Sequence, residues 1–326
     1  MCEEILSVKD LKTYFNSRTS TFLGKSPSIR AVDGINLSIN AGESFGLVGE
    51  SGCGKSTTGR SILRLIQPTS GSINFAGRDV MTADKKSLRT LRREMQMIFQ
   101  DPYSSLNPRM RVLDIVAEPL IVHRLAKPSE AATKAKKVLD HCGIPDGSVQ
   151  RFPREFSGGQ RQRIVIARAL VTRPRFIVAD EPVSALDVSI QAQILNLLQD
   201  LRDEYSLTYL FISHDLAIVR TVTNRIAVMY LGKIVEQADT SVFFSGPLHP
   251  YSRALLSSVP RETPDEDKKR IILTGNIPSA ANPPKGCNFH TRCPLFTEKC
   301  KKIAPELIPV SKGHSVACHL ALKSSK

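Results

Sequence analysis

The chain has no tryptophan, carries only 6% aromatic residues, and contains no uncharged apolar run near the about 20 residues that span a bilayer. No membrane-crossing helix is therefore expected. Its opening stretch, "MCEEILSVKD", is acidic and lacks an apolar core, so no secretory signal is expected and the chain is expected to stay in the cytosol. Acidic residues are the minority: 31 Asp plus Glu stand against 45 Lys plus Arg, for a net charge of +14. Such a charge attracts polyanions in general. No basic helix with interleaved aromatics and no recognisable nucleic-acid module accompanies it, so nucleic acid is not expected as a partner, and acidic lipid headgroups are the milder explanation. At 326 residues, 41% apolar and 23% charged, the chain is globular, with room for one large α/β domain and an appendage or for two domains. Seven cysteines in a reducing compartment read as thiols or metal ligands before disulfides.

Four short apolar runs are present, and each ends on chemistry. "SFGLVG" (44–49) runs into "ESGCGKST", "EMQMIFQ" (94–100) ends on Gln100, "RFIVADE" (175–181) on Asp180 and Glu181, and "LTYLFISH" (207–214) on His214. Near-continuous apolar character suits strands covered on both faces, and ligands of open α/β sheets bind beyond the carboxyl ends of the strands. Four such ends describe one site assembled from distant sequence.

Gly49 to Ser56 fits the phosphate-loop pattern G-x-x-x-x-G-K-[ST] without a mismatch. Glycines let the backbone N–H groups converge on phosphates, Lys55 is expected to reach the β- and γ-phosphates, and the Ser56 hydroxyl to meet Mg²⁺. Cys53 is a loop position with no chemistry of its own. Asp180 is placed to hold Mg²⁺ through water and Glu181 to act as general base on the attacking water, although adjacent carboxylates after a strand are often only a solvated strand end. Gln100 is expected to sense Mg²⁺ or the attacking water, and His214 to approach a γ-phosphate. A second anion-suited turn stands at "FSGGQRQR", where Ser157, Gly158 and Gly159 open a helix. The plain alternative is that "SGGQ" only starts that helix.

"GESGCGKST", "FSGGQRQR", "FIVADE" and "SALD", in this order, resemble the ATP-binding cassette of ABC proteins over roughly residues 5–245. The resemblance implies an α/β phosphate-loop NTPase with a mostly parallel core sheet, an antiparallel β subdomain and a helical subdomain over about 101–170. It implies contact with ATP through Gly49, Ser51, Gly52, Cys53, Gly54, Lys55, Ser56 and Thr57, with Mg²⁺ on Ser56, Gln100 and Asp180. Two cassettes of this family pack head to tail, so Ser157, Gly158, Gly159 and Gln160 would close over the ATP held by a partner's phosphate loop. By the same resemblance Phe15 in "LKTYF" stacks on the base, with neighbouring Tyr14 left open.

The composition shifts after the cassette, taken as 1–260. Residues 261–326 hold 7 of 20 prolines and 4 of 7 cysteines, and 12 Lys plus Arg against 6 Asp plus Glu. Cys287, Cys293, Cys300 and Cys318 stand at gaps of 5, 6 and 17 residues. Four thiolates can hold together a segment too small for its own core, and the spacing alone leaves an iron–sulfur cluster, zinc and unligated thiols open. "PLHPYSRALLSSVP" and "GNIPSAANPPKGCNFHTRCP" resemble the C-terminal extension of dipeptide/oligopeptide permease ATPase subunits, which implies a [4Fe–4S] cluster on those four cysteines, with zinc as the alternative. "IFQDPYSSLNPRM" and the insertion "TFLGKSPSIRAVDG" look closest to the second of the two ATPase subunits such permeases use. The implied partners are another ATPase subunit in a heterodimer, two transmembrane permease subunits and, indirectly, an extracytoplasmic substrate-binding protein, with the chain peripheral on the cytoplasmic membrane face. Related systems carry dipeptides, longer peptides, nickel or oligosaccharides. A soluble ABC ATPase acting on DNA or ribosomes would show long coiled-coil insertions or tandem cassettes, and neither is found. A redox sensor built on the cluster is the third reading.

Overall fold

The computed structural model describes residues 3–16, 28–259 and 271–321. The first part of the insertion at 21–34 and the expected boundary at 260–261 lie outside the described residues. In chain order the elements begin with β1 Glu4–Asn16, β2 Ser28–Asn40, β3 Ser44–Val48, α1 Lys55–Ile62, β4 Ser70–Phe75, β5 Arg78–Asp79, α2 Lys85–Glu94 and β6 Met95–Ile98. Then follow α3 Pro102–Ser105, α4 Val112–Val122, α5 Pro128–His141, α6 Gly158–Leu170, β7 Phe176–Asp180, α7 Val188–Tyr205 and β8 Thr208–Ser213. The last are α8 Leu216–Val222, β9 Arg225–Tyr230, β10 Lys233–Asp239, α9 Thr240–Ser245, α10 Pro250–Ser257, α11 Glu298–Lys302, β11 Ile308–Ser311 and β12 His314–Val316. They fall into two compact units, one of Met1–Ile5, Ile39–Glu43 and Thr82–Phe211, the other of Leu6–Ser38, Ser44–Met81 and Ile212–Lys326.

In the first unit β6 and β7 run parallel, from Met95 opposite Phe176 to Ile98 opposite Ala179. Every residue of β7 is buried, as the near-continuous apolar run demands of a strand covered on both faces. Between these strands the chain is helical. Val112, Ile115 and Val116 of α4, Ala131, Ala135 and Leu139 of α5, and Ile164 and Val165 of α6 are the buried stripes on which the three helices pack. Arg168 ties α6 to α3 by donating from Nη1 to the Ser105 carbonyl at 2.9 Å.

In the second unit β3, wholly buried, runs parallel to β9, with Phe45 opposite Arg225 and Val48 opposite Val228. From β9 outward the sheet turns antiparallel through β10, β12 and β11. The sheets are thus mixed where a mostly parallel core was expected. The antiparallel part starts with the β9–β10 hairpin, since a hairpin can only return antiparallel, and the hairpin β11–β12 of the C-terminal segment extends it on β10. A further sheet, of order β2-β1-β4-β5, is antiparallel where β1 meets β4 and β4 meets β5.

The C-terminal cysteines require a correction. Among the described residues no group of three or more His, Cys, Asp or Glu side chains is arranged to hold a metal ion, so neither the [4Fe–4S] cluster on Cys287, Cys293, Cys300 and Cys318 nor zinc is supported. Burial pushes the Cys287 thiol up to about 11 and raises that of Cys293 as well. Ligation was expected from the resemblance to the permease extension, the size of the segment only leaving it open. The structure removes any need for it, since the segment borrows a core. Phe289 is buried against the rings of Tyr230 at 5.2 Å, Tyr251 at 5.3 Å and His249 at 5.6 Å. His314 of β12 meets the fully buried carboxylate of Glu236 at 2.8 Å, and the same carboxylate accepts the N–H groups of Leu248 and His249. A buried charge held by three donors is a firm anchor, and losing one of them would leave it partly unpaired.

His249 makes the fold sensitive to acid. It caps α10, accepting the Tyr251 N–H on Nδ1 at 3.1 Å, and burial pushes its imidazole down to about 3. Only the neutral ring can accept that bond. The unfolded chain takes up the proton near pH 6.5, well before the folded chain does. The contribution of His249 is therefore whole above about pH 6.5 and is lost as pH falls toward 3, at up to about 1.4 kcal/mol per pH unit. Urea unfolding at pH 7.5 and pH 5 is expected to differ by about 2 kcal/mol from this group alone. His249→Asn, which keeps a capping acceptor and cannot titrate, is expected to flatten the slope by that amount. An unchanged slope would remove His249 as its source.

Candidate functional site

β3 leads directly into the phosphate loop. Gly49 takes φ 154° and Gly54 takes φ 111°, and a Cβ on either would lie 2.2 Å from the Met229 carbonyl oxygen or 2.0 Å from that of Ala31. Only glycine fits where two backbones approach so closely. Gly54 is also the N-cap of α1 and makes no side-chain cap, so the first-turn N–H groups of the helix face the loop without a competing side chain. Lys55 is 5% exposed and donates from Nζ to the carbonyls of Gly49 at 2.8 Å and Glu50 at 3.0 Å, cross-bracing the loop. Ser51 and Gly52 are exposed at the loop's tip, Ser56 and Thr57 half-buried at the head of α1. Cys53 is buried, which raises its thiol, consistent with a packing role.

The loop is held from behind as well. Glu50 donates its N–H to the Tyr251 hydroxyl at 2.9 Å, and its carboxylate takes a two-pronged bond from Arg292, Nη1 to Oε2 at 2.7 Å and Nη2 to Oε1 at 3.1 Å. Glu50, Tyr251 and Arg292 were not singled out by the sequence, because no spacing rule links positions this far apart.

In the first unit Asp180 is the last residue of β7 and is fully buried, and Glu181 follows with φ 47°. A left-handed conformation at a non-glycine residue costs about 1–3 kcal/mol and persists only where the surroundings over-determine it, most often at a functional site. Gln100, two residues beyond β6, donates from Nε2 to Glu181 Oε2 at 2.8 Å. These two strand ends meet as expected. Ser56 offers a hydroxyl, Gln100 an amide oxygen and Asp180 a carboxylate, and each by itself is a hard oxygen donor of the kind that suits Mg²⁺ rather than a soft metal. His214 directly follows β8 and is exposed.

Ser157 is the N-cap of α6. Its Oγ accepts the Gln160 N–H at 3.3 Å while Gln160 Oε1 accepts the Ser157 N–H at 3.0 Å, a reciprocal capping box. Starting the helix is therefore one role of "SGGQ". Gly159 has another constraint: a Cβ there would lie 2.5 Å from Cγ2 of Ile190, so α6 approaches α7 as closely as its backbone allows. At the other end of the chain Phe15 is 40% exposed, whereas Tyr14 donates its hydroxyl to Asp33 Oδ1 at 2.5 Å and is pushed up to about 12, first by burial and then by that bond.

Strand, glycine loop, buried lysine and helix N-terminus define a phosphate-loop nucleotide-binding protein. The family model described as "ABC transporter" matches residues 32–184, and that described as "Oligopeptide/dipeptide transporter, C-terminal region" matches residues 235–300. The oligopeptide transport ATP-binding protein AppF of Bacillus subtilis is 50% identical over 98% of both chains. The di/tripeptide transport ATP-binding protein DppF of Pseudomonas aeruginosa is 45% identical, again over 98% of both. Among solved structures, the dimeric post-hydrolysis state of the ATP-binding cassette MJ0796 bound to ADP and Pi matches with TM-score 0.64 at 28% identity, covering 72% of this chain and 99% of that one. The chain belongs to the ABC transporter family, as an ATP-hydrolysing subunit of its oligopeptide and dipeptide branch.

Proposed function

We propose that this subunit powers the import of small peptides, with each ATP held between the phosphate loop of one cassette and the Ser157 turn of another. The observation that carries this reading is the presence of two helix N-termini suited to anions, one at Gly54–Lys55 and one at Ser157–Gly159. The chain's own nucleotide needs only the first. A neighbouring cassette gives the second its ligand, and the dimeric relative with ADP and Pi supports such pairing. The names of AppF and DppF support peptides as cargo.

In this reading Gly49, Ser51, Gly52, Cys53, Gly54, Lys55, Ser56 and Thr57 take the phosphates, and Phe15, exposed where Tyr14 is committed to Asp33, stacks on the base. Ser56, Gln100 and Asp180 would hold Mg²⁺, which when bound offsets phosphate charge. Glu181 takes the proton from the attacking water, the Gln100 amide keeps its carboxylate in place, and His214 contacts the γ-phosphate. Ser157, Gly158, Gly159 and Gln160 serve the partner's nucleotide. The cassette spans 1–260, with its helical subdomain over about 101–170 and the permease-type extension over 261–326. Its partners are a second ATPase subunit, two membrane permease subunits and, indirectly, an external peptide-binding protein. It sits on the cytoplasmic membrane face. No helix among the described residues is long and apolar enough to cross a membrane, which agrees with a peripheral attachment.

The test is made on the complex co-purified with its membrane subunits. Ser157→Ala is expected to slow ATP turnover several-fold while photolabelling of this chain by an azido-ATP stays unchanged, because the lost contact belongs to the other cassette's nucleotide. Loss of labelling on this chain itself, or full turnover, would overturn the shared-site reading.

A further inference from the structure

Glu50 places a carboxylate in the loop that receives a polyphosphate. Like charges in one site oppose each other unless a cation compensates. That cation comes from 242 residues away in sequence, as the two-pronged bond from Arg292. Arg292 is 9% exposed, its guanidinium lies 6.0 Å from the Tyr230 ring centre, and the pairing with Glu50 drives its basicity up. Its backbone N–H donates to Phe289, the aromatic anchor of the C-terminal segment, at 3.0 Å. A second path reaches the same loop: Asn288 donates to the Leu231 carbonyl at 3.2 Å, and the adjoining Gly232 N–H donates to the Cys53 carbonyl at 2.9 Å. The C-terminal segment thus grips the phosphate loop at Glu50 directly and at Cys53 through one turn.

We propose that Arg292 is a positioning residue for nucleotide binding, through which the C-terminal segment compensates the Glu50 carboxylate and so sets the affinity of the phosphate loop for ATP. The inference rests on the phosphate loop being the ATP site. Removing the guanidinium leaves an uncompensated negative charge on the loop, so Arg292→Gln weakens ATP. Removing the carboxylate instead leaves a positive charge, so Glu50→Gln tightens ATP. A pair that merely braces the loop would weaken binding when either half is lost.

Equilibrium binding of ATP, ADP and adenosine is measured on the full chain at low and high KCl, with melting temperatures recorded alongside. Arg292→Gln is expected to weaken ATP about 10-fold at low salt, ADP less and adenosine not at all, with the effect shrinking as salt is raised. Steady-state hydrolysis is expected to show a raised KM with kcat nearly unchanged. Glu50→Gln is expected to tighten ATP a few-fold, and the double variant to return within about 2-fold of the starting affinity. Weaker ATP binding in Glu50→Gln, equal losses for ATP and adenosine, or a double variant no better than Arg292→Gln would overturn the proposal. Should Arg292→Gln fail to fold, the sign of the Glu50→Gln effect decides alone. Lys55→Ala is the control: if it too leaves ATP binding unaltered, it is the assignment of the ATP site that fails, not the role of Arg292.

Discussion

Glu181→Gln is expected to lower ATP turnover by about 10²- to 10⁴-fold, the range that a positioned general base contributes, while nucleotide affinity changes little. The substitution is close to isosteric. A glutamine can still accept the Gln100 Nε2 bond on its amide oxygen, so the 2.8 Å contact between the two side chains survives. It also inherits the same left-handed backbone, φ 47°, and so the same strain. What is lost is the carboxylate that takes a proton from water. If hydrolysis is what releases paired cassettes, the variant is expected to accumulate as an ATP-stabilised dimer with its partner cassette. Phosphate release and size-exclusion with ATP check both parts. Turnover within 10-fold of the wild type would take the base role from Glu181, and failure to pair under ATP would break the link between hydrolysis and release.

Lys55→Ala is expected to weaken ATP by about 10- to 100-fold, equivalent to the about 1.5–3 kcal/mol of a charged hydrogen bond, and to suppress turnover further. Two losses combine. The ammonium no longer meets phosphate, and the carbonyls of Gly49 and Glu50 lose the donor that cross-braces them. The loop must then be ordered at the expense of binding. Because Lys55 is buried, arginine is too large to substitute for it, and Lys55→Arg is expected to rescue little. Titration calorimetry with ATP and ADP decides the point, and affinity within about 3-fold of wild type would move phosphate recognition elsewhere.

Much of the site could be read along the chain. The apolar runs at 44–49, 94–100, 175–181 and 207–214 became β3, β6, β7 and β8, each halting within two residues of the group assigned to chemistry. That succeeded because strand burial and loop curvature are written in neighbouring residues. Ser157 was legible as a helix start for the same reason. Gly159 was legible only as a small residue, since its constraint comes from Ile190 on the following helix. The C-terminal cysteines were misread for the complementary reason. Four cysteines in a short Pro-rich segment left a metal open and the family resemblance chose it, while nothing nearby in sequence announced that Tyr230, Tyr251 and His249 would enclose Phe289.

The glycine turn at Gly49–Ser56, the strand that ends on Asp180 and the helix start at Ser157 were settled by order along the chain, because backbone geometry over a few residues follows from their identity and spacing. The grip of Arg292 on Glu50, the burial of Glu236 under His314 and the enclosure of Phe289 were settled by folding alone. Charge pairing and desolvation depend on which distant groups come within a few ångströms, and no local pattern encodes that distance.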